Sequence, residues 1–520
     1  VHDAVIIGSG PNGLVAANVL ADAGWDVVVV EAADTPGGAV RSGEITAPGF
    51  QSDLFSAFYP LAAASPVLRE LELERWGLQW ARAPLALAHP TPGGPSACLS
   101  MDVDITAASL ERFAPGDGDR WRELYGLWER TQEPFLEALL RPFPPVRAGL
   151  GLAAAAGPSL PELVRIALGN VEAMGRRCFE GQGGRLLLAG NAGHADIPLD
   201  GRGSAVFGWL MSCLGQMVGF PTPVGGASEL TAALIRRLED KGSTVLLGQP
   251  VEAIEVRNGR AKAVRLVAGD VVPARRAVLA DVGAPALYLD LLAPHHLRPG
   301  LVSRMREFHH GPSTVKVDWA LSSPIPWTDA EVSQAGTVHV GLSVEEIGST
   351  MAMVENGVIP DRPFLLVGQM TTADPSRSPA GTESAWAYTH VPQVTKADAG
   401  KELKGVWDEA EGERFAARME ARIEALAPGF GDRIIARHVF TPPALEASNA
   451  NLVGGDIGSG TMRLSQQLVM RPVPGLGRSE TPIKGLYLAS AAAHPGGGVH
   501  GACGANAARA AILHHRMRRF

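Results

Sequence analysis

Residues 4–31 read AVIIGSGPNGLVAANVLADAGWDVVVVE, and the order of parts in this stretch decides the fold. A short apolar strand, Ala4 to Ile7, runs into Gly8-x-Gly10-x-x-Gly13. Leu14, Ala17, Leu20 and Ala21 then recur at helical spacing, and Gly24 stops the helix. A second strand, Val27 to Val30, ends on Glu31. Gly8 permits a tight turn, Gly10 lets the backbone approach a pyrophosphate, and Gly13 lets the helix pack closely on the strands. Pro11 and Asn12 lie in the turn where the helix presents free N–H groups to phosphate charge. Glu31, 18 residues beyond Gly13, stands where a carboxylate accepts from ribose hydroxyls and repels a 2′-phosphate. A lone Gly-x-Gly-x-x-Gly is weak evidence. With strand, helix, second strand and acid in sequence, the stretch predicts an α/β dinucleotide-binding unit.

Two distant stretches extend the site. Ala32 follows Glu31 directly, and the run ADTPGGAVRS places Gly37 and Gly38 over the pyrophosphate, with Arg41 to neutralise it. Near the other end, residues 485–512 read GLYLASAAAHPGGGVHGACGANAARAAI. Here Gly497, Gly498 and Val499 bring backbone against a flat ring, and an Ala-rich helix from Gly504 to Leu513 presents its N-terminus to negative charge. Between these ends, TPVGGASE at 222–229 introduces an amphipathic helix, Leu230 to Leu238. Val251 opens a strand whose backbone meets the adenine, and the buried run Ala277 to Ala280 ends on Asp281. No second strand, Gly-x-Gly-x-x-Gly and helix unit occurs, since GDIGSG at 455–460 lacks a preceding apolar strand. One dinucleotide is expected, without a nicotinamide domain.

Composition narrows the class. The chain has 520 residues, of which 61 are Gly and 39 Pro, an excess that signals many turns and close backbone approaches. With 46% hydrophobic and 19% charged residues it is too apolar for disorder. A net charge of −8 offers no basic stripe for nucleic acid. The one dense basic run, residues 514–520, reads as a solvated helix end. Cys98, Cys178, Cys213 and Cys503 lie far apart without C-x-x-C spacing, which argues against disulfides, zinc or a dithiol pair and suits a cytoplasmic location. No metal site is expected. The uncharged stretch Gly203 to Ser228 is broken by glycines and prolines, so it reads as a buried helix and turn rather than a span. The Pro- and Ala-rich segment 134–161 reads as a solvent-covered helix pair, with peripheral membrane contact as the other reading.

With GSGPNGL, EAADTPGGAVRS, GFQSDLFSAFYPLAAASP, AGNAGHADIPLDGRGSAVFG, PVGGASEL and LYLASAAAHPGGGVHGACGANAA in view, the chain resembles the phytoene desaturase-like branch of FAD-dependent oxidoreductases, within the amine oxidase superfamily. The resemblance runs nearly end to end and extends to bacterial relatives of the pyridine nucleotide-disulfide oxidoreductase domain 2 protein. It implies an α/β fold in which a Rossmann-type FAD-binding domain is assembled from residues 1–70, 222–290 and 455–520. An α+β substrate domain, residues 71–221 and 291–454, is inserted between the pieces. It further implies FAD as cofactor and hydride transfer from a hydrophobic small molecule. The alternatives are an oxidase of amines or other polar substrates, and a non-redox isomerase using reduced FAD. The electron acceptor stays open among oxygen, a quinone and a carrier protein. Departures concern the catalytic groups: Tyr59 stands where relatives often have His, Val224 where they have a basic residue, and Ser490-Ala491 where many have an acid.

The candidate catalytic side chains are therefore His500, Tyr59 and His494, all placed by sequence near the ring-facing loops. His500 reads equally as a base or as a structural group, and His494 reads first as a hydrogen-bonder capping its loop. His194 and Asp196 either line the substrate cavity or form a surface turn. Cys503 reads as a small buried cysteine rather than a covalent flavin link. The helix around Phe207 to Met217 is either a substrate wall or plain core.

Overall fold

A computed structural model describes residues 1–517; the last three residues of the basic run 514–520 lie outside the described residues. Val27–Val30 is four consecutive valines buried on both faces, the composition of a strand inside a parallel sheet. It pairs in parallel with His2–Ile7, which pairs in parallel with the end of Val271–Ala280. Leu486–Leu488 and Thr244–Leu246 complete the two sides of this parallel core. Its strands thus come from three distant stretches of chain. The first half of Val271–Ala280 continues into an antiparallel meander with Arg260–Leu266 and Val251–Arg257. Helix Pro11–Asp22 starts with Pro at its first position and packs, with helices Ser228–Asp240 and Ala502–Met517, on one face of the sheet. A Cβ on Gly504 would lie 1.9 Å from the Asn12 carbonyl oxygen, so the last helix can cross the first only at a glycine.

A second sheet of seven strands has the order Ile434–Phe440, Ser313–Leu321, Glu383–Val391, Leu365–Gln369, Ala335–Val340, Leu85–His89 and Ala97–Leu99. Side chains alternate across it with period two. Val315, Val317, Trp319, Val367 and Ala387 face helix Glu409–Glu424 and form one core. The opposite face carries Lys316 and Asp318, Trp386 and Tyr388, Leu366, and His339 with His89. Helices Gln182–Ala192 and Ser204–Val218 cover the His89 end of that face. The uncharged helix is core rather than cavity wall at its centre, where Trp209 is wholly buried and meets Trp128 and Phe135 edge-on. Segment 134–161 does form helices, Val146–Ala156 after the end of Asp117–Leu140, and Val146 and Leu150 are exposed. Among the described residues no helix is long and apolar enough to cross a membrane.

One buried guanidinium joins the two sheets. Arg377 Nε donates to Asp374 at 2.9 Å, one terminal nitrogen to Asp53 at 3.0 Å, and the other to Thr222 at 2.8 Å. Both side chains of the Arg377–Asp53 pair are fully inaccessible to solvent. Replacing Arg377 with Met would leave two carboxylates buried without their cation, at a cost of roughly 3–5 kcal/mol. Denaturant unfolding of Arg377→Met should show that loss, and a change below about 1 kcal/mol would remove the triad from the list of structural determinants.

Candidate active site

The turn between the first strand and first helix is closed to any side chain. A Cβ on Gly13 would sit 2.2 Å from the Gly8 carbonyl oxygen, and one on Gly10 would sit 2.6 Å from Asp281 Oδ2. Asp281 reaches across from the end of its strand and accepts the Gly13 N–H at 2.7 Å, capping the first helix from outside. Asn12 Oδ1 is buried in this cradle without a hydrogen-bond partner. Glu31 is held with both oxygens engaged: it accepts from the Ser9 N–H and hydroxyl, each at 2.7 Å, and from the Ala33 N–H at 2.9 Å. The Gly248 and Gln249 N–H groups bond to the Ala33 and Glu31 carbonyls, which puts the start of the Val251 strand beside Ala32. These features fit a dinucleotide: a helix N-terminus approachable only over glycine, an unpartnered polar atom in the cradle, and a fixed carboxylate at the ribose position.

The remaining loops of the site converge from both ends of the chain. Gly38 packs on Gly10, with 3.0 Å from its projected Cβ to the Gly10 Cα. Arg41 is turned along this loop, donating to the Gly38 carbonyl at 2.9 Å and the Ser448 carbonyl at 2.7 Å, and it lies over the Phe55 ring. Its guanidinium therefore bridges the glycine loop to the segment after Pro442–Ser448. Gly497 touches Gly458, Gly498 touches Leu61, and Val499 packs on the core beneath the first helix. Arg471, wholly buried, donates only to carbonyls, those of Gly458, Ser459, Thr461 and Ala491.

The three candidate catalytic side chains each bond within the protein, with His494 Nδ1 left buried without a partner. Tyr59 donates to the Ser56 carbonyl at 2.8 Å and faces Trp80, and burial beside Asp53 drives its hydroxyl far above the ordinary range. His494 bonds through Nε2 to the Arg141 carbonyl at 3.0 Å. His500 Nδ1 accepts the Ala502 N–H at 3.0 Å, which leaves Nε2 to donate to the Gly496 carbonyl at 3.2 Å. Burial, against the Gly496 bond, pulls His500 down to about 4, so it is a neutral staple between the glycine loop and the last helix. Cys503 is buried next to it, its thiol pushed up to about 12 by burial.

A cavity of about 550 Å³ opens over the second sheet. Phe364, Leu366 and Met351 give it apolar walls, His390 closes one side, and Gly193, Ala195 and Asp196 bring in the AGNAGHAD stretch. Asp196 accepts from the Thr461 hydroxyl at 2.5 Å and the Met462 N–H at 2.7 Å. Glu355 pairs with Arg463 at 2.8 Å, and Lys396 is exposed. Beyond Tyr388 on the same sheet face, Lys316 pairs with both oxygens of Asp318 at 2.5 Å, and burial pushes that carboxyl up to about 6. Sequence reading missed Lys316, Asp318, Trp386 and Tyr388. Their signal was there, since Lys-x-Asp and Trp-x-Tyr within strands share a face.

A dinucleotide cradle, converging glycine loops and a partly open cavity over the second sheet fit a flavin-dependent oxidoreductase. The chain belongs to the flavin containing amine oxidoreductase family, whose model matches residues 12–378. It is 28% identical to the mouse pyridine nucleotide-disulfide oxidoreductase domain-containing protein 2, over 98% of this chain and 92% of that protein. It is 26% identical to a lycopene-forming phytoene desaturase of a Paracoccus species, over 98% and 97% of the two chains. Among solved structures, putrescine oxidase bound to putrescine superposes with a TM-score of 0.61 at 17% identity, over 99% of each chain. The cofactor is FAD, and phytoene desaturases are among the proteins the chain is similar to.

Two consequences are measurable. Gly10→Ala drives a methyl into the Asp281 carboxylate, so its FAD affinity should fall by at least about tenfold, read from the flavin-to-protein absorbance ratio of purified protein; full flavin content would contradict the cradle. Asp281 itself is pushed by burial from 3.8 up to about 7, opposed by the Gly13 N–H and assisted by Glu31. Between those values the folded flavin-free chain keeps a proton that the unfolded chain has released, so stability falls as pH rises across that window and levels off above it. Asp281→Asn should remove this part of the decline in urea unfolding compared at about pH 5 and about pH 8. An unchanged slope would place the titration elsewhere.

Proposed function

We propose that the chain is an FAD-dependent dehydrogenase or desaturase that removes hydride from a hydrophobic small molecule. The observation that carries this reading is how the cavity disposes of its charges. Asp196 is consumed by Thr461 and Met462, and Glu355 by Arg463. No carboxylate of the walls named above is left to meet an ammonium group, whereas Phe364, Leu366 and Met351 offer apolar surface. Desolvating a cationic amine there would cost several kcal/mol without an ion partner, on the order of what burial exacts from any unpaired charge. The desaturase named among the relatives, lycopene-forming, points the same way.

FAD, when bound, supplies the hydride acceptor, and the protein binds, orients and excludes water. Gly10, Gly13 and Glu31 would hold the dinucleotide, Gly497 and Gly498 would lie against the ring, and Leu61 and Phe58 would separate it from bulk water. Anaerobic mixing of the holoenzyme with uncharged terpenoids, both hydrocarbons and mono-oxygenated ones, and, separately, with primary amines tests the reading. Bleaching of the flavin band by an uncharged terpenoid and not by amines is the expected result. Bleaching by amines alone would replace it with the oxidase reading.

A further inference from the structure

Three histidines from three parts of the chain form a continuous hydrogen-bonded row on the cavity side of the second sheet. His89 Nε2 lies 2.9 Å from His339 Nδ1, His339 Nε2 lies 3.1 Å from His194 Nε2, and His194 Nδ1 lies 3.3 Å from the Tyr388 hydroxyl. His89 and His339 are wholly buried, and His194 and Tyr388 keep part of their surface open. Tyr388 pairs across strands with Leu366 and stands two residues before His390, both of which line the cavity. The row has a cost that the covering helix meets with a glycine. A Cβ on Gly190 would sit 2.3 Å from His89 Nε2 and 2.5 Å from His339 Nδ1.

The row is uncharged. Burial pulls His89 and His194 down to about 3 and His339 well below its ordinary value, and each ring further disfavours charge on its neighbours. The titratable groups nearest it are His390 on the Tyr388 strand, whose ring sits 5.8 Å away from Tyr388, Asp196 on the loop after His194, and Lys316 on the adjacent strand. Among the described residues no group of three or more His, Cys, Asp or Glu is placed to hold a metal ion. A neutral imidazole has one N–H and one lone pair, so the bonds must all run in one direction. A proton wire needs an exit, and His89 Nδ1 is buried without a partner. A proton store needs a stable imidazolium, which this burial denies. Positioning is what remains.

We propose that Tyr388 is the hydrogen-bonding contact for substrate and that His194, His339 and His89 are positioning residues that fix the direction of its hydroxyl as one unit. The substrate class follows: an uncharged molecule, apolar along Leu366, Phe364 and Met351, that carries a single oxygen opposite Tyr388. This rests on the reading of the cavity as the substrate site, but its test does not need turnover.

The test uses holoenzyme labelled with ¹⁵N-histidine and two-bond ¹H–¹⁵N spectra assigned by single substitutions, flavin absorbance confirming that each variant folds. Two tautomer sets agree with the proposal. One is His89 Nε2–H, His339 Nε2–H and His194 Nδ1–H; the other is its full reversal. Both should stay unchanged from about pH 5 to about pH 9. Tyr388→Phe, or His194→Gln should the first variant not fold, should shift the His89 signals although neither residue touches His89. Adding 1-decanol, an apolar chain with one hydroxyl, should move the same signals in the parent enzyme and not in the variants. A mixed tautomer set, titration near the ordinary histidine value, or variant effects confined to the nearest ring would overturn the row. A row that passes those tests but ignores decanol would overturn the substrate contact. Failure of the hydrocarbon reading alone would instead appear in flavin bleaching, with the histidine spectra unchanged.

Discussion

The structure depends most on the burial of one guanidinium between three stretches of chain. Arg377 sits in the turn Pro375–Arg377 between two strands of the second sheet, yet its partners Asp53 and Thr222 come from residues 1–70 and 222–290, two of the stretches read as the nucleotide-binding domain. Each carboxylate has further partners besides Arg377. Asp53 also accepts the Ala227 N–H at 2.7 Å, at the start of helix Ser228–Asp240, and Asp374 accepts the Gly225 N–H at 2.8 Å. Burial alone would raise the Asp374 carboxyl, but the Gly225, Ser376 and Arg377 bonds outweigh it and hold the group below its ordinary value. The planar fork matters because a point charge could not address three acceptors in fixed directions. Through it the glycine turn at 225–226, which leads into helix Ser228–Asp240 on the nucleotide face, takes its place relative to the sheet that carries the cavity.

Arg471 does the same work with no carboxylate. Burial lowers its proton affinity, and only carbonyl oxygens answer its donors. Four carbonyls of partial charge are weaker than one carboxylate, but they come from two loops, 458–461 and the stretch at Ala491. The first ends in Thr461, which lines the cavity and bonds Asp196; the second leads into Gly496–Gly498. Arg471 thereby ties the cavity rim to the glycine loop. A substrate against Thr461 and a ring on Gly497, if bound there, would be spaced by the protein core rather than by contacts to either ligand. This is the condition for orientation to contribute to rate.

How much of this was legible in sequence depended on distance along the chain. The Gly8–Glu31 unit was readable because strand, turn, helix and acid lie within one window and each obeys a local rule. The assembly of one nucleotide domain from separated pieces was given only by the family resemblance, since no local rule joins stretches that far apart. His500 and Tyr59 were placed near the right loops, but their sequence neighbourhood did not reveal that backbone groups would claim their polar atoms. Ala502 N–H and the Ser56 carbonyl are local partners, invisible without the loop conformation. His89 and His339 were out of reach for a different reason: 250 residues separate them, and their meeting follows only from the parallel pairing of Leu85–His89 with Ala335–Val340. His194 was singled out, but as a cavity or turn residue, because its partners could not be.

The cavity face of the second sheet changes character along its width. At one end Lys316 lies 6.0 Å from the Trp386 ring centre and 5.9 Å from that of Phe440, with Asp318 as its counterion, so full charges are kept there by a pair and two aromatic faces. At the other end the histidine row carries polarity without charge. Between them stand Trp386 and Tyr388, stacked at 24° with ring centres 6.0 Å apart. A sheet face of this kind can stabilise charge developing near the Lys316 end while offering only a neutral dipole at the histidine end. An apolar substrate laid across it would therefore be held at one terminus by a hydrogen bond and meet electrostatic help only at the other. The low dielectric that keeps the hydrogen-bonded rings neutral also makes a lone charge costly, which is why Lys316 carries its counterion Asp318. Charge and neutral polarity are separated along one sheet face because burial treats a dipole and a charge so differently.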